Sequence, residues 1–397
     1  MKRSIVAGLF ALAHRAISAL PLLVSNTDVL DSYDYVVIGG GTGGMTLASR
    51  LSEDGSRTVL LIEAGSLDNG EKEIRIPRFY VASRNGLPED FKYAWHIKTT
   101  PQTELGNRSI PLPQAKLIGG GSGINGMVYD RGRAADYNSW ADIGSKGWDF
   151  ASLLPYFKKA ETFTPPPKEQ ANELKITYDP ECHGFEGPVQ SSYPAWVYPQ
   201  HTGPLSSLAF LPVLNFTEDG EAILSGMDVK TATNYLPGNT DPSVAAGYEA
   251  QVEHIVKMHK ERSTAGQELM YVGGGTGLTS ILLHPLSRGS VQLNCTDPFD
   301  DPLVDPRYLS HPSDGQILVE IVKYNRKIIA TEALQRTGAT ETFPGTNVTS
   351  DEAILESLRP LITTVWHPAG TCAMMPREIG GVVNSELKAA DMMTAGA

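Results

Sequence analysis

The stretch Tyr33–Gly65, YDYVVIGGGTGGMTLASRLSEDGSRTVLLIEAG, decides the fold. A short β-branched run, Tyr35 to Ile38, enters a glycine cluster and leaves as an amphipathic helical pattern. A second apolar run, Thr58 to Ile62, ends at Glu63. This order predicts a strand, a tight turn, a helix and a second strand, the unit from which a parallel sheet with a crossover helix is built. Within it Gly39, Gly41 and Gly44 form G-x-G-x-x-G. The first glycine permits the turn, the second lets a pyrophosphate approach the backbone, and the third lets the helix pack against the strand. The helix N-terminus presents unpaired N–H groups to that phosphate. Glu63 stands at the end of the next strand, where its carboxylate can accept hydrogen bonds from ribose hydroxyls. A dinucleotide is therefore the expected ligand. A carboxylate at Glu63 disfavours a 2′-phosphate, but this unit alone leaves open whether the ligand is NAD or FAD.

The rest of the chain bounds the answer. At 397 residues it suits two interleaved domains, with 41% hydrophobic and 20% charged residues and a mean hydropathy of −0.18. These values argue against a disordered or multi-span membrane protein, and no membrane span is expected. A net charge of −12, with no basic run, argues against nucleic acid as a partner. Cys182, Cys295 and Cys372 are far apart and share no metal-ligand spacing, which argues against zinc and against a disulfide framework. At the N-terminus Lys2 and Arg3 precede an apolar run from Ile5 to Ala13, with Ala16 and Ser18 at cleavage-like positions and His14 and Arg15 interrupting. Residues 1–30 therefore read either as a secretory leader or as an ordinary leader helix on a cytoplasmic chain. Sequons at Asn107, Asn215, Asn294 and Asn347 are compatible with a secretory route.

Other elements are read from local pattern. Asp149 is a candidate N-cap for a helix over GWDFASLLPYFKKAE, and Pro165 to Pro167 mark a surface connection. From about Tyr193 to Gly275 the signals weaken, apart from a helical AAGYEAQVEHIVKMHKER. Val291 to Leu293 alternates like a strand, and a long helical pattern starts near Ser313.

The segment Ala115–Trp140, AKLIGGGSGINGMVYDRGRAADYNSW, resembles the first signature of the glucose–methanol–choline (GMC) family of flavin-dependent oxidoreductases. The glycines Gly119, Gly120, Gly121 and Gly123 strip side chains from a loop able to lie against a flat ring. Asn125, Tyr129, Gly132 and Asn138 also fall where the family pattern wants them. HGFEGPVQSSYP (His183 to Pro194), LLHPLSRGSVQL with DPRYLSHPSD (Leu282 to Asp314), and WHPAGTCAMMPREIGGVV (Trp366 to Val383) are similar to further family segments. The resemblance implies an α/β fold, α+β overall: a Rossmann-like FAD-binding domain with an interleaved antiparallel-sheet substrate domain. The implied boundaries are 31–190 for the first part of the FAD domain, 191–345 for the substrate domain and 346–397 for the return.

The resemblance also implies FAD as cofactor, held by Gly39, Gly41, Thr42, Gly43 and Gly44 at the pyrophosphate and by Glu63 and Ala64 at the adenosine ribose. Gly121, Asn125, Gly126, Met127 and Val128 would line the flavin. His367 is the implied catalytic base, taking a hydroxyl proton while the carbon-bound hydrogen leaves as hydride. An imidazole suits that task because it titrates near neutral pH. The implied substrate is a small alcohol or a polyketide-derived compound, in keeping with fungal secondary metabolism. Two family pieces are not found. No Ser-Gly-Ile-Gly follows the middle of the chain, and NSELKAADMMTAGA stands where a strand with a second catalytic His or Asn is usual. Two other readings therefore stay open: a non-redox cyclase or dehydratase on the same fold, and an inactive relative. His284, in its LLHP setting, reads as a core histidine.

Overall fold

The computed structural model describes residues 29–76, 79, 87–126, 130–193, 206–272, 277–294, 297, 299–336 and 338–389. Its contacts divide the chain into two compact units, Met1–Lys98 with Pro111–Tyr129, and Thr99–Ile110 with Asp130–Ala397.

In the first unit, β1 (Tyr35–Ile38), α1 (Thr42–Ser52) and β2 (Val59–Ile62) form the expected unit, with β1 and β2 parallel and Tyr35 opposite Val59. A short helix α2 (Lys72–Arg75) follows, and β3 (Ala94–Trp95) pairs antiparallel with β4 (Gln114–Ala115). Tyr93, Leu112 and Leu117 supply buried side chains. Among the described residues the parallel sheet has only two strands. Parallel sheets are normally covered on both faces. Here Ile38 is 84% exposed, and Val36, Leu47 and Ile62 are also exposed.

The second unit begins its helices with α3 (Ala134–Asp142) and α4 (Phe150–Ala160). Asp149 caps α4, its carboxylate accepting from the Ser152 N–H at 2.9 Å. The helix does not run out into a bare connection, because β5 (Glu161–Thr164) follows at once, and α5 (Lys168–Leu174) begins just after the three prolines. β5 is held in register by a parallel partner, β6 (Val189–Ser192). Next come β7 (Ser206–Leu211), three short helices α6 (Val213–Phe216), α7 (Gly220–Gly226) and α8 (Val229–Ala232), and the long α9 (Pro242–Lys260). β8 (Gln267–Val272) and β9 (Gly277–Leu282) complete an antiparallel sheet in the order β7-β8-β9. The remaining elements are the β10 (Ser290–Gln292) and β11 (Leu303–Asp305) pair, α10 (Pro312–Ile329), α11 (Glu332–Gln335) and α12 (Asp351–Leu358). Among the described residues no helix is long and apolar enough to cross a membrane.

The core of this unit is built by helix faces. Tyr248, Val252 and Ile255 recur at helical spacing on α9 and pack with Phe216, Leu224, Met227, Leu286, Ile317 and Ile321. Most of the recognisable sequence motifs turn out to be scaffold. The buried carboxylate of Glu161 accepts from Arg131 at 2.7 Å, Ser191 at 2.7 Å and the Gly184 N–H, with His183 Nδ1 at 3.1 Å. Burial raises its pKa, but these hydrogen bonds and the Arg131 charge outweigh that and hold the carboxyl below its usual range. Asn138 accepts from the Phe150 N–H at 3.0 Å and so fixes the start of α4. Asp314, buried in the first turn of α10, accepts from Leu286 and Ser287 N–H groups.

His284 is a structural histidine, with Nε2 3.1 Å from Asp136 and Nδ1 3.1 Å from the Ala265 carbonyl. Beside it His259 on α9 is fully buried, and neither ring nitrogen has a partner among the described residues. Burial, reinforced by nearby His284 and only partly offset by Asp136, pushes the His259 pKa from 6.5 down to about 4. The unfolded chain therefore binds a proton that the folded chain refuses between those two values. His259 contributes its full stability above pH 6.5, and that contribution is lost as pH falls toward 4, by about 1.4 kcal/mol per pH unit. Denaturant melts from pH 4.5 to 7.5 should show His259→Leu flattening this slope and melting above the parent at pH 5. Parallel curves for the two proteins would show that His259 titrates as an exposed histidine does.

Candidate functional site

The candidate site in the first unit is made where three backbone segments meet. Gly39 ends β1 at φ +95°, a conformation that favours glycine, and its N–H donates to the Ile62 carbonyl at 2.8 Å. Gly44 follows one turn later, and a Cβ there would lie 1.9 Å from the Gly39 oxygen. The helix can therefore leave the strand only with glycine at 44. Gly41 is the N-cap of α1 and offers no side chain, so the first-turn N–H groups are left to whatever lies in front of them.

The second glycine run, 80 residues downstream, closes on the first. The Gly119 N–H donates to the Gly40 carbonyl at 2.8 Å, and a Cβ on Gly120 would stand 2.5 Å from the Gly41 Cα. Gly120 also sits at φ +55°, in a short 3-10 turn Gly120–Gly123. The third segment follows β2. A Cβ on Gly65 would lie 2.1 Å from the Lys116 backbone, and Ser66 bridges to Leu117. Glu63 fastens the junction, with Oε2 accepting from the Gly40 N–H at 2.6 Å and Oε1 from the Gly65 N–H at 2.7 Å. Two backbone donors leave lone pairs on both oxygens of this half-buried carboxylate for hydroxyl donors.

The glycines therefore divide into two kinds. Gly40, Gly44, Gly65 and Gly120 are required by protein packing, because a Cβ would collide with neighbouring atoms. Among the described residues a Cβ at Gly43 or Gly121 would meet nothing within 4 Å, and at Gly41 only Gly120 at 3.9 Å. Internal packing does not demand glycine at these positions. They line open space in front of a helix N-terminus, which is where a pyrophosphate and a flat ring need bare backbone. By this test the residues fit a dinucleotide.

The structure thus places Gly39, Gly41, Thr42, Gly43, Gly44, Glu63, Ala64, Gly121, Asn125 and Gly126 in one unit, with both glycine runs and Glu63 meeting directly. Met127 and Val128 lie outside the described residues. Sequence reasoning missed the packing roles of Gly40, Gly65 and Gly120. The signal was present in the excess of glycines over G-x-G-x-x-G in each run.

His367 belongs to the second unit. It is exposed and makes no hydrogen bond or ion pair among the described residues, so its imidazole is open to a ligand. Trp366 before it adopts φ +61°, unusual for a bulky residue, and donates its backbone N–H to Thr364 Oγ1 at 3.0 Å.

Comparison with known proteins follows the same lines. Residues 33–275 match the N-terminal part, and residues 285–393 the C-terminal part, of the GMC oxidoreductase family. The chain is 25% identical to the dehydrogenase xptC of Emericella nidulans over 563 aligned positions, covering 92% of this chain and 88% of that one. The alignment is longer than the 397 residues present, so xptC carries internal segments with no counterpart here. An oxygen-dependent choline dehydrogenase of Rhizobium etli is 28% identical, covering 86% of this chain and 85% of its own. Among solved structures, a FAD-dependent oxidoreductase from Chaetomium thermophilum superposes with a TM-score of 0.81 at 25% identity, covering 90% of this chain and 93% of its own.

The two kinds of glycine make opposite predictions. Gly120→Ala should cost about 3 kcal/mol, from the collision with Gly41 and the left-handed backbone. Gly43→Ala should stay within about 1 kcal/mol of the parent, because its Cβ meets nothing. Thermal melts of the ligand-free proteins measure both.

Proposed function

Because the chain belongs to the GMC oxidoreductase family, we propose that it oxidises the CH–OH group of a small alcohol, with His367 as the base. FAD is its cofactor, as the family and the fold indicate. The observation that carries the reading is the open space at Gly41, Gly43 and Gly121, where side chains are missing without any packing need. When bound there, FAD supplies a hydride acceptor. The chain's own residues do the rest.

The first-turn N–H groups after Gly41 would hold the pyrophosphate, and Glu63, already braced by Gly40 and Gly65, would take the ribose hydroxyls. Gly121, Asn125 and Gly126 would line the flavin, and Ala64 and Thr42 would complete the contacts along the nucleotide. His367 takes the hydroxyl proton on a free ring nitrogen, so that the alkoxide can release its carbon-bound hydrogen as hydride. The substrate class favoured is a small alcohol of fungal secondary metabolism, and a secretory route fits the leader-like N-terminus.

A second reading rests on the thin parallel sheet. With Ile38 84% exposed and internal segments of the relatives missing, the chain would keep the cradle but turn nothing over.

One experiment separates the two. The purified chain should show a flavin absorbance spectrum and gain thermal stability from added FAD. His367→Ala should keep that spectrum and lose alcohol-dependent flavin reduction by about 100-fold or more. A colourless protein unmoved by FAD would overturn the first reading, and a flavin-loaded protein that no alcohol reduces would support the second.

A further inference from the structure

The sequons at Asn107, Asn215 and Asn347 fall wholly within the described residues, and the fold treats them differently. Asn107 stands at the tip of a turn at φ +58°, a left-handed conformation that asparagine adopts more readily than most residues. Its N–H donates to the Gln102 carbonyl at 2.9 Å, and the Gln102 N–H closes the turn on the Arg108 carbonyl at 2.9 Å. Arg108 ties the turn to the end of α12, its Nη2 donating to the Arg359 and Ile362 carbonyls at 2.7 and 2.8 Å. The backbone is fixed, yet Asn107 and Ser109 are exposed, and neither the carboxamide nor the hydroxyl makes a hydrogen bond among the described residues.

Asn347 repeats the arrangement. It lies in a turn closed by the Val348 N–H on the Gly345 carbonyl at 3.0 Å. Arg326 Nη2 braces that turn through the Gly345 and Val348 carbonyls, at 3.1 and 2.8 Å. Asn347 and Thr349 are exposed, and their side chains make no hydrogen bond among the described residues. Asn215 is exposed too, but its sequon is wound into α6 beside the buried Phe216. Thr217 Oγ1 donates to Glu320 and accepts from the Asp219 N–H at 3.1 Å, so folding withdraws the hydroxyl that a sequon needs.

We infer that Asn107 and Asn347 are N-glycan attachment sites. In that step Nδ2 of the asparagine bonds to the anomeric carbon of a polyprenyl-diphosphate-linked oligosaccharide. The carbon–oxygen bond to the diphosphate breaks, its electron pair leaves with the diphosphate, and the amide nitrogen loses a proton. At either turn the added sugar displaces no hydrogen bond of the protein. The occurrence of the step rests on the secretory reading of the N-terminus, and its location on the two turns.

The test uses the full chain expressed in yeast in two forms, with its own N-terminus and with an added secretion leader. Enzymatic deglycosylation in ¹⁸O-water, followed by peptide mass mapping, should mark Asn107 and Asn347 in most secreted molecules and Asn215 about tenfold less. Ser109→Ala and Thr349→Ala keep each asparagine and should each abolish the mark at their own site; if one variant fails to fold, the other still decides. A secreted chain unmarked at both Asn107 and Asn347, or marked equally at Asn215, would overturn the inference. Marks that appear only with the added leader would leave the two sites standing and remove the secretory reading instead.

Discussion

Everything in the nucleotide cradle depends on backbone meeting backbone where Gly41 and Gly120 touch. A hydrogen bond between Gly119 and Gly40 joins two loops separated by 80 residues, and a side chain at Gly120 would collide with Gly41. Glu63 adds the third point by gripping Gly40 and Gly65 at once. Held in this way, the helix N-terminus faces open space with its geometry already set, so ordering it costs nothing when a ligand arrives. The same carboxylate that braces the loops keeps lone pairs open to hydroxyl donors.

Much of this was legible in the sequence, and the reason is local. The run Tyr35–Ile38, the glycines after it and the run ending at Ile62 each carry their own conformational instruction, and they form β1, α1 and β2 as read. Asp149 likewise announces α4 through its own side chain. What stayed illegible is set by distant pairing. The sheet β7-β8-β9 joins Ser206–Leu211 to Gln267–Val272, and its first strand has no local mark to separate it from the glycine- and proline-rich stretch around it. β5 escaped notice for the same cause, since its partner β6 lies beyond α5. The glycine runs were visible, but which glycines serve packing and which leave room for a ligand depends on what stands opposite each one.

The family motifs also separate by task once the structure is known. His183, Gly184 and Ser191 surround the buried Glu161, Asn138 starts a helix, and Asp314 holds the turn at Leu286 and Ser287. These residues maintain the scaffold of the second unit. The glycine loops of the first unit border open space, and in the second unit His367 is exposed and without a partner among the described residues. Against this stands the two-stranded parallel sheet, whose Ile38 and Val36 are exposed among the described residues.

The central claim is that the two glycine loops act as one binding surface. Hydrogen exchange of the backbone amides with and without FAD tests it most directly. The account predicts that amides of residues 40–45, of residues 119–124 and of Gly65 slow together on the same FAD titration curve. Protection of only one loop, or of neither, would contradict it.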